Sequence, residues 1–230
     1  MTGAKADSKS GYHAQFKGFL GNLASEISWA VRKKMFSVFM QEFSQANSIL
    51  DVGATSEGAA KEANYFEELY PDKSKITACG IEDASFLEKK YPGTKFVQIR
   101  PGEKLPFSDQ QFDAVFSNAV IEHVVGAEDR KFFLKELCRV GKGVFITTPN
   151  KFYPIEFHTG VALIHWFDSL FNWLMLKGFL GHFYNPSNLR LLSKSDLLEI
   201  RKQYPEFDVQ ISCARLLGLP SNYLLIMKRK

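Results

Sequence analysis

Hydrophobic positions along the chain change period near residue 46. Upstream, Phe36, Phe39, Met40 and Phe43 recur at helical spacing, which predicts a helix over 13–45 with a break near Gly18 to Gly21. Residues 1–11, rich in Lys, Ser, Gly and Ala, read as a disordered tail. Downstream, short β-rich runs at 48–52, 75–81, 94–98, 112–117 and 143–148 alternate with helical runs at 57–70, 83–91 and 128–140. That alternation predicts an α/β domain, with a doubly wound, mostly parallel sheet covered by helices on both faces. A segment at about 150–190 breaks the rhythm. A helix at 193–203 and strands at 206–213 and 221–228 follow it. The link "ARLLGLPSN" is too short for a helical crossover, so the last strand should run antiparallel. The expected organisation is a tail and helical cap at 1–45, then a domain at 46–230 with a helical apolar insertion at about 150–190.

Composition adds exclusions. The formal charge is +4, and its clusters, Arg32-Lys33-Lys34 and Lys228-Arg229-Lys230, are short. They read as solvated surface, and no nucleic-acid partner is expected. Cys79, Cys138 and Cys213 have neither metal nor disulfide spacing. Reduced thiols and an N-terminus without a signal-peptide apolar core point to the cytoplasm. The run Val161 to Phe183 is apolar, but His165, Asp168, Asn172 and Lys177 interrupt it, which argues against a membrane span.

In a doubly wound sheet ligands bind beyond the carboxyl ends of the strands, where strand order reverses. The loop Asp51-Val52-Gly53-Ala54-Thr55-Ser56-Glu57 has one glycine for a sharp turn and lacks the others of a dinucleotide loop. Glu57, expected in the first helical turn, would repel a pyrophosphate, so a ligand with a positive centre and an amino group fits better. The bland alternative is a βα turn capped by Ser56. After the second strand, Glu82 is placed to accept ribose hydroxyls. Asp83 beside it either joins that site or caps the next helix.

The segments "LPFSDQQFDAVFSNAVIEHV" (Leu105 to Val124) and "FLKELCRVGKGVFITTPN" (Phe133 to Asn150) are more specific. With them, the chain resembles a class I S-adenosylmethionine-dependent methyltransferase of the type 11 group. "TTPNKFYPIEFHT" and "LRLLSKSDL" resemble a bacterial subgroup. The resemblance implies a Rossmann-like, seven-stranded sheet with an antiparallel last strand. It also implies S-adenosylmethionine as cofactor and S-adenosylhomocysteine as product. Asp51 and Gly53 would face the methionine portion, Glu82 the ribose, and Asn118 the sulfonium and methyl, with Ala54, Thr55 and Asp83 as further cofactor-binding candidates. The acid that such proteins commonly place before the adenine loop is replaced by Pro101, which leaves the main chain of Gly102 and Glu103 as the substitute.

Candidate bases are His123, His158 and His165, with His123 and His158 preferred. No metal is expected. If 161–174 is helical, His165, Asp168, Ser169 and Asn172 share one face. The insertion's aromatics (Trp166, Phe167, Phe171, Trp173, Phe179) suit either a lid over a small-molecule, glycan or lipid-linked acceptor, or a core or dimer surface. Peripheral membrane contact through Trp173 and Lys177 and homo-oligomerisation stay open. The competing readings are a catalytically weak or inactive methyltransferase-like partner module, prompted by Thr55-Ser56 and Pro101, and a nicotinamide dehydrogenase.

Overall fold

The computed structural model describes residues 19–57, 63–124, 126–155, 163–167, 169–171, 173 and 189–230. Among these, seven strands form one sheet: β1 (Ile49–Val52), β2 (Ile76–Gly80), β3 (Lys95–Gln98), β4 (Phe112–Asn118), β5 (Gly141–Pro149), β6 (Phe207–Leu216) and β7 (Leu219–Arg229). Their order is β3-β2-β1-β4-β5-β7-β6. Only β7 runs against its neighbours, pairing antiparallel with both β5 and β6. The linker expected between the last two strands is mostly strand itself. A two-residue turn, Leu217 and Gly218, suffices because both adopt positive φ (52° and 80°), which matches the strands' twist.

Among the described residues, the sheet is covered by the helices α1 (Phe19–Glu42), α2 (Tyr65–Leu69), α3 (Phe86–Lys90), α4 (Ala127–Val140) and α5 (Lys194–Gln203). On one face, α1 and α2 bury Val31, Met35, Phe39 and Phe66 against the sheet's Phe116 and Phe145. Phe39 stands edge-on to Phe66, Phe116 and Phe145 at 5.0, 5.5 and 5.5 Å, the geometry aromatic quadrupoles favour. On the other face, α4 and α5 bury Leu134, Leu137, Leu197 and Ile200. The break expected near Gly18 to Gly21 is absent over the described part: α1 runs unbroken through Gly21. One helical glycine costs about 1 kcal/mol, too little to interrupt a helix anchored by such a core. No helix among the described residues is long and apolar enough to cross a membrane.

Strand order reverses between β1 and β4, the neighbours on either side of the first loop. The carboxyl ends of β1, β2 and β4 therefore converge where the topology predicts a ligand.

Candidate functional site

The first loop leaves β1 and leans on β2. The amides of Gly53 and Ala54 both donate to the Cys79 carbonyl, at 2.9 and 3.0 Å. Two glycines permit this path. Gly53 has φ +114°, and a Cβ there would stand 2.3 Å from Val120 Cγ2. A Cβ on Gly80 would stand 2.1 Å from the Ala54 carbonyl oxygen. The loop thus crosses Gly80 from above, with Val120 packed on its turn.

Beyond the turn, a buried asparagine replaces the missing glycines as the organising element. The Thr55 amide donates to Asn64 Oδ1, and Asn64 Nδ2 donates back to the Thr55 carbonyl, both at 3.0 Å. This revises the expected helix over 57–70. Among the described residues helix begins only at Tyr65, so Glu57 is not in its first turn and Ser56 does not cap it. Asn64 occupies the N-cap position with no cap bond, since its side chain is committed to Thr55. Ser56 Oγ instead donates to Glu82 Oε2.

Glu82 is exposed just past β2, close to the first loop. Asp83 accepts the Ser85 amide at 2.9 Å, and that bond holds its carboxyl below the usual range. Asp83 therefore serves the start of α3. Gly102 lies in an exposed turn with φ +75°. The Glu103 amide closes that turn onto the Arg100 carbonyl at 3.4 Å. The segment that follows is fastened to α4 by Arg139. Its guanidinium donates to Glu136 at 2.8 and 2.7 Å, to the Leu105 and Phe107 carbonyls at 3.0 and 2.8 Å, and to Asp109 at 2.8 Å. Glu136 in turn accepts the Leu105 amide at 2.9 Å. The Arg139 bonds hold the buried Glu136 carboxyl below its ordinary value.

At the end of β4, Asn118 Oδ1 accepts the Thr147 hydroxyl at 2.5 Å and the Tyr65 hydroxyl at 3.3 Å. Those bonds leave its NH2 as the group available to a ligand. Asp51, Gly53, Asn64, Tyr65, Phe116 and Asn118 line a cleft of about 20 Å³, the size of a water. Ala119 then turns through a left-handed φ of 54°, and its amide donates to the Thr147 carbonyl.

The electrostatics of this end of β1 are unusual. Asp51 is nearly buried and Glu67, on α2, is fully buried. Each carboxyl acts on the other, and neither Glu67 oxygen has a hydrogen-bond partner among the described residues. Burial raises both above the carboxylate range. The Glu67 charge raises Asp51 further. Burial and the two acids also push the Cys79 thiol up. Burial raises Tyr65 as well, with the Arg32 guanidinium 5.6 Å over its ring opposing the rise.

The histidines separate. His123 ends a short 3-10 turn, exposed beside a fully buried Glu122 that accepts the Thr148 hydroxyl at 3.0 Å. His158 lies outside the described residues. His165 is buried, with Nε2 donating to the Tyr153 carbonyl at 2.9 Å. It braces the insertion from within, so the face expected to run from His165 through Ser169 does not start at a pocket or at solvent. Asp168 and Asn172 of that stripe, and Phe179 and Lys177, lie outside the described residues. Phe171 is core, whereas Phe167 and Trp173 are 64% and 54% exposed. Sequence reasoning missed Asn64, Glu67 and Thr147. Thr147 stands in the singled-out "TTPN" and was findable there. Glu67, within "YFEELY", reads as a solvated helix acid and gave no signal.

Comparison with known proteins agrees with the fold. Residues 50–146 match the family model for a methyltransferase domain. No curated protein matches significantly. Among solved structures, the methyltransferase domain of bacterial CtHen1 is 15% identical and superposes with a TM-score of 0.57, over 87% of this chain and 99% of that one. The Burkholderia thailandensis 1,6-didemethyltoxoflavin-N1-methyltransferase, solved with its acceptor and S-adenosylhomocysteine, is also 15% identical, with a TM-score of 0.57 over 87% of this chain and 78% of that one. The N-terminal domain of EvdMO1, solved with S-adenosylhomocysteine and D-fucose, is 17% identical, with a TM-score of 0.51 over 89% and 83%.

Proposed function

We propose, from the premise that this chain is a class I S-adenosylmethionine-dependent methyltransferase, that it methylates a small apolar or sugar-bearing acceptor. The observation that carries the reading is the convergence of Asp51, Glu82 and Asn118 at the ends of β1, β2 and β4, across the reversal of strand order. The chemistry of these groups suits the cofactor. Asp51 opposes the positive charge of the methionine end, Glu82 accepts ribose hydroxyls in place of Ser56, and the Asn118 amide donates beside the methyl. Ala54, Thr55, Asp83 and the Gly102–Glu103 turn border the same cofactor.

The cofactor supplies an electrophilic methyl group when bound. The protein orients the acceptor in line with it and keeps water out. Carboxylates near the sulfonium favour the charged reactant more than the transition state, so Asp51 serves affinity rather than rate. For a hydroxyl acceptor, His158 is the base we favour, with His123 the alternative. His158→Ala should cut turnover and spare cofactor binding; unchanged turnover removes it from the site.

For the acceptor, the chain leaves β5 two residues beyond Thr147, the partner of Asn118, and enters a segment where Phe152, Trp166, Phe167 and Trp173 remain exposed. Flat aromatic faces suit sugars and apolar rings. The toxoflavin-precursor and fucose complexes of the similar folds support this class. A lipid-linked acceptor at a membrane surface belongs to it too. We take residues 46–230 as the catalytic domain, with 1–45 as its cap and the insertion at about 150–190 as the acceptor side. The unpaired thiols of Cys79, Cys138 and Cys213 suit the cytoplasm.

The second reading, a weakly binding or inactive partner module, draws on the Ser56–Glu82 bond and the water-sized cleft. Thermal unfolding with millimolar S-adenosylhomocysteine or NAD separates the readings. A rise in Tm with the first alone supports the enzyme. No rise with either supports the module, and a larger rise with NAD supports a dehydrogenase.

A further inference from the structure

Glu67 has no role in the function proposed above, yet it is fully buried and acts on Asp51, the residue assigned to the cofactor's cationic end. Among the described residues no lysine, arginine or hydroxyl bonds either of its oxygens. Its neighbour is another acid, Asp51, and Asp51 lines the cleft at the strand reversal. The surroundings come from every element packed there. α1 brings Arg32, held over the Tyr65 ring, and α2 brings Tyr65 itself. β2 brings the Cys79 thiol. Lys73 and Lys90 act on Glu67 only through space. Among the described residues none of these is bonded to Glu67, so a second negative charge there has no hydrogen-bonded counter-charge. A buried pair of this kind keeps a proton until a cation arrives.

We propose that Glu67 is a positioning residue for the cofactor: it shares one proton with Asp51 in the free protein, and a cationic ligand entering beside Asp51 expels that proton. The proton passes to solvent, the pair becomes doubly negative, and the sulfonium and amino charges of the ligand replace the proton as counter-charge. This inference rests on the S-adenosylmethionine reading. Its consequence is that cofactor affinity climbs as pH rises through the range where the free pair would lose its proton.

The test is calorimetric titration of S-adenosylmethionine into the full chain, in buffers of different ionisation enthalpy, with wild type and Glu67→Gln. The amide conserves shape and can donate to Asp51, so Asp51 is already ionised in the variant. Wild type should release about one proton more per bound ligand than Glu67→Gln at about pH 7. Its dissociation constant should depend on pH more steeply than the variant's. Equal release by the two proteins, or none by wild type, overturns the proposal while leaving the cofactor reading intact. No binding by wild type defeats both. A ligand-free check follows the Asp51 carboxyl carbon by NMR. It should titrate above the ordinary carboxylate range in wild type and return to that range in Glu67→Gln; an ordinary titration in wild type also overturns the proposal.

Discussion

Two buried carboxylates, Glu67 and Glu136, sit on opposite faces of one sheet and are treated in opposite ways. Glu136 is matched: Arg139 grips both its oxygens, the Leu105 amide adds a third bond, and its pKa is held down. Glu67 is set against Asp51, another acid, and both are pushed up. The matched site fastens a loop and has no charge left for a ligand. The mismatched one stands beside the predicted methionine end, and among the described residues neither Glu67 oxygen has a hydrogen-bond partner. A buried ion with resident partners reads as structure, and one without them reads as a place prepared for a ligand.

The comparison can be broken most forcefully at Arg139. Arg139→Met leaves Glu136 buried without its partner and frees the segment from Leu105 to Asp109. Unfolding in urea should show a loss of about 3–5 kcal/mol. A loss near zero would mean that the network is ornamental. Next comes Glu82→Ala, which removes the carboxylate now engaged by Ser56. It should weaken S-adenosylhomocysteine binding by about 1–3 kcal/mol and leave the unfolding midpoint in place.

Glu67→Gln sharpens the contrast by its sign. A carboxyl pair with raised pKa loses stability as pH climbs from the ordinary carboxylate range through the folded value. The variant should therefore be more stable than wild type at neutral pH, by about 1–2 kcal/mol, and the advantage should vanish in acid. Glu136, with a lowered pKa, behaves the other way: its contribution is present above the ordinary carboxylate range and is lost as pH falls through its folded value. Denaturation curves across pH for wild type, Glu67→Gln and Glu136→Gln would show the two trends crossing. Parallel trends would contradict the account. The smallest effect belongs to Lys131→Ala, which removes an exposed pair with Glu128 at 2.7 Å and should leave the midpoint unchanged.

The fold was largely legible because its signals are local. Every strand run appears, and the short link before β7 identified the antiparallel strand. Composition could not disclose side-chain bonds between segments distant in sequence or hidden by type. Asn64 governs where α2 starts through the Thr55 backbone, and nothing in "KEANYF" marks that bond. Gly80 matters because Ala54 crosses it, a fact of tertiary approach. Glu67 looks solvated by type and is buried by the helix's short length and orientation. His165 sat on a plausible polar stripe, but its ring had a better partner in the Tyr153 carbonyl.

The central claim is that a cofactor is held at the carboxyl ends of β1 and β2 by Asp51 and Glu82. Calorimetric titration of S-adenosylhomocysteine into wild type and Glu82→Ala tests it most directly. The account predicts saturable, one-to-one binding by wild type and clearly weaker binding by the variant. Absence of heat with wild type at millimolar ligand, or equal affinity in the two proteins, would contradict it.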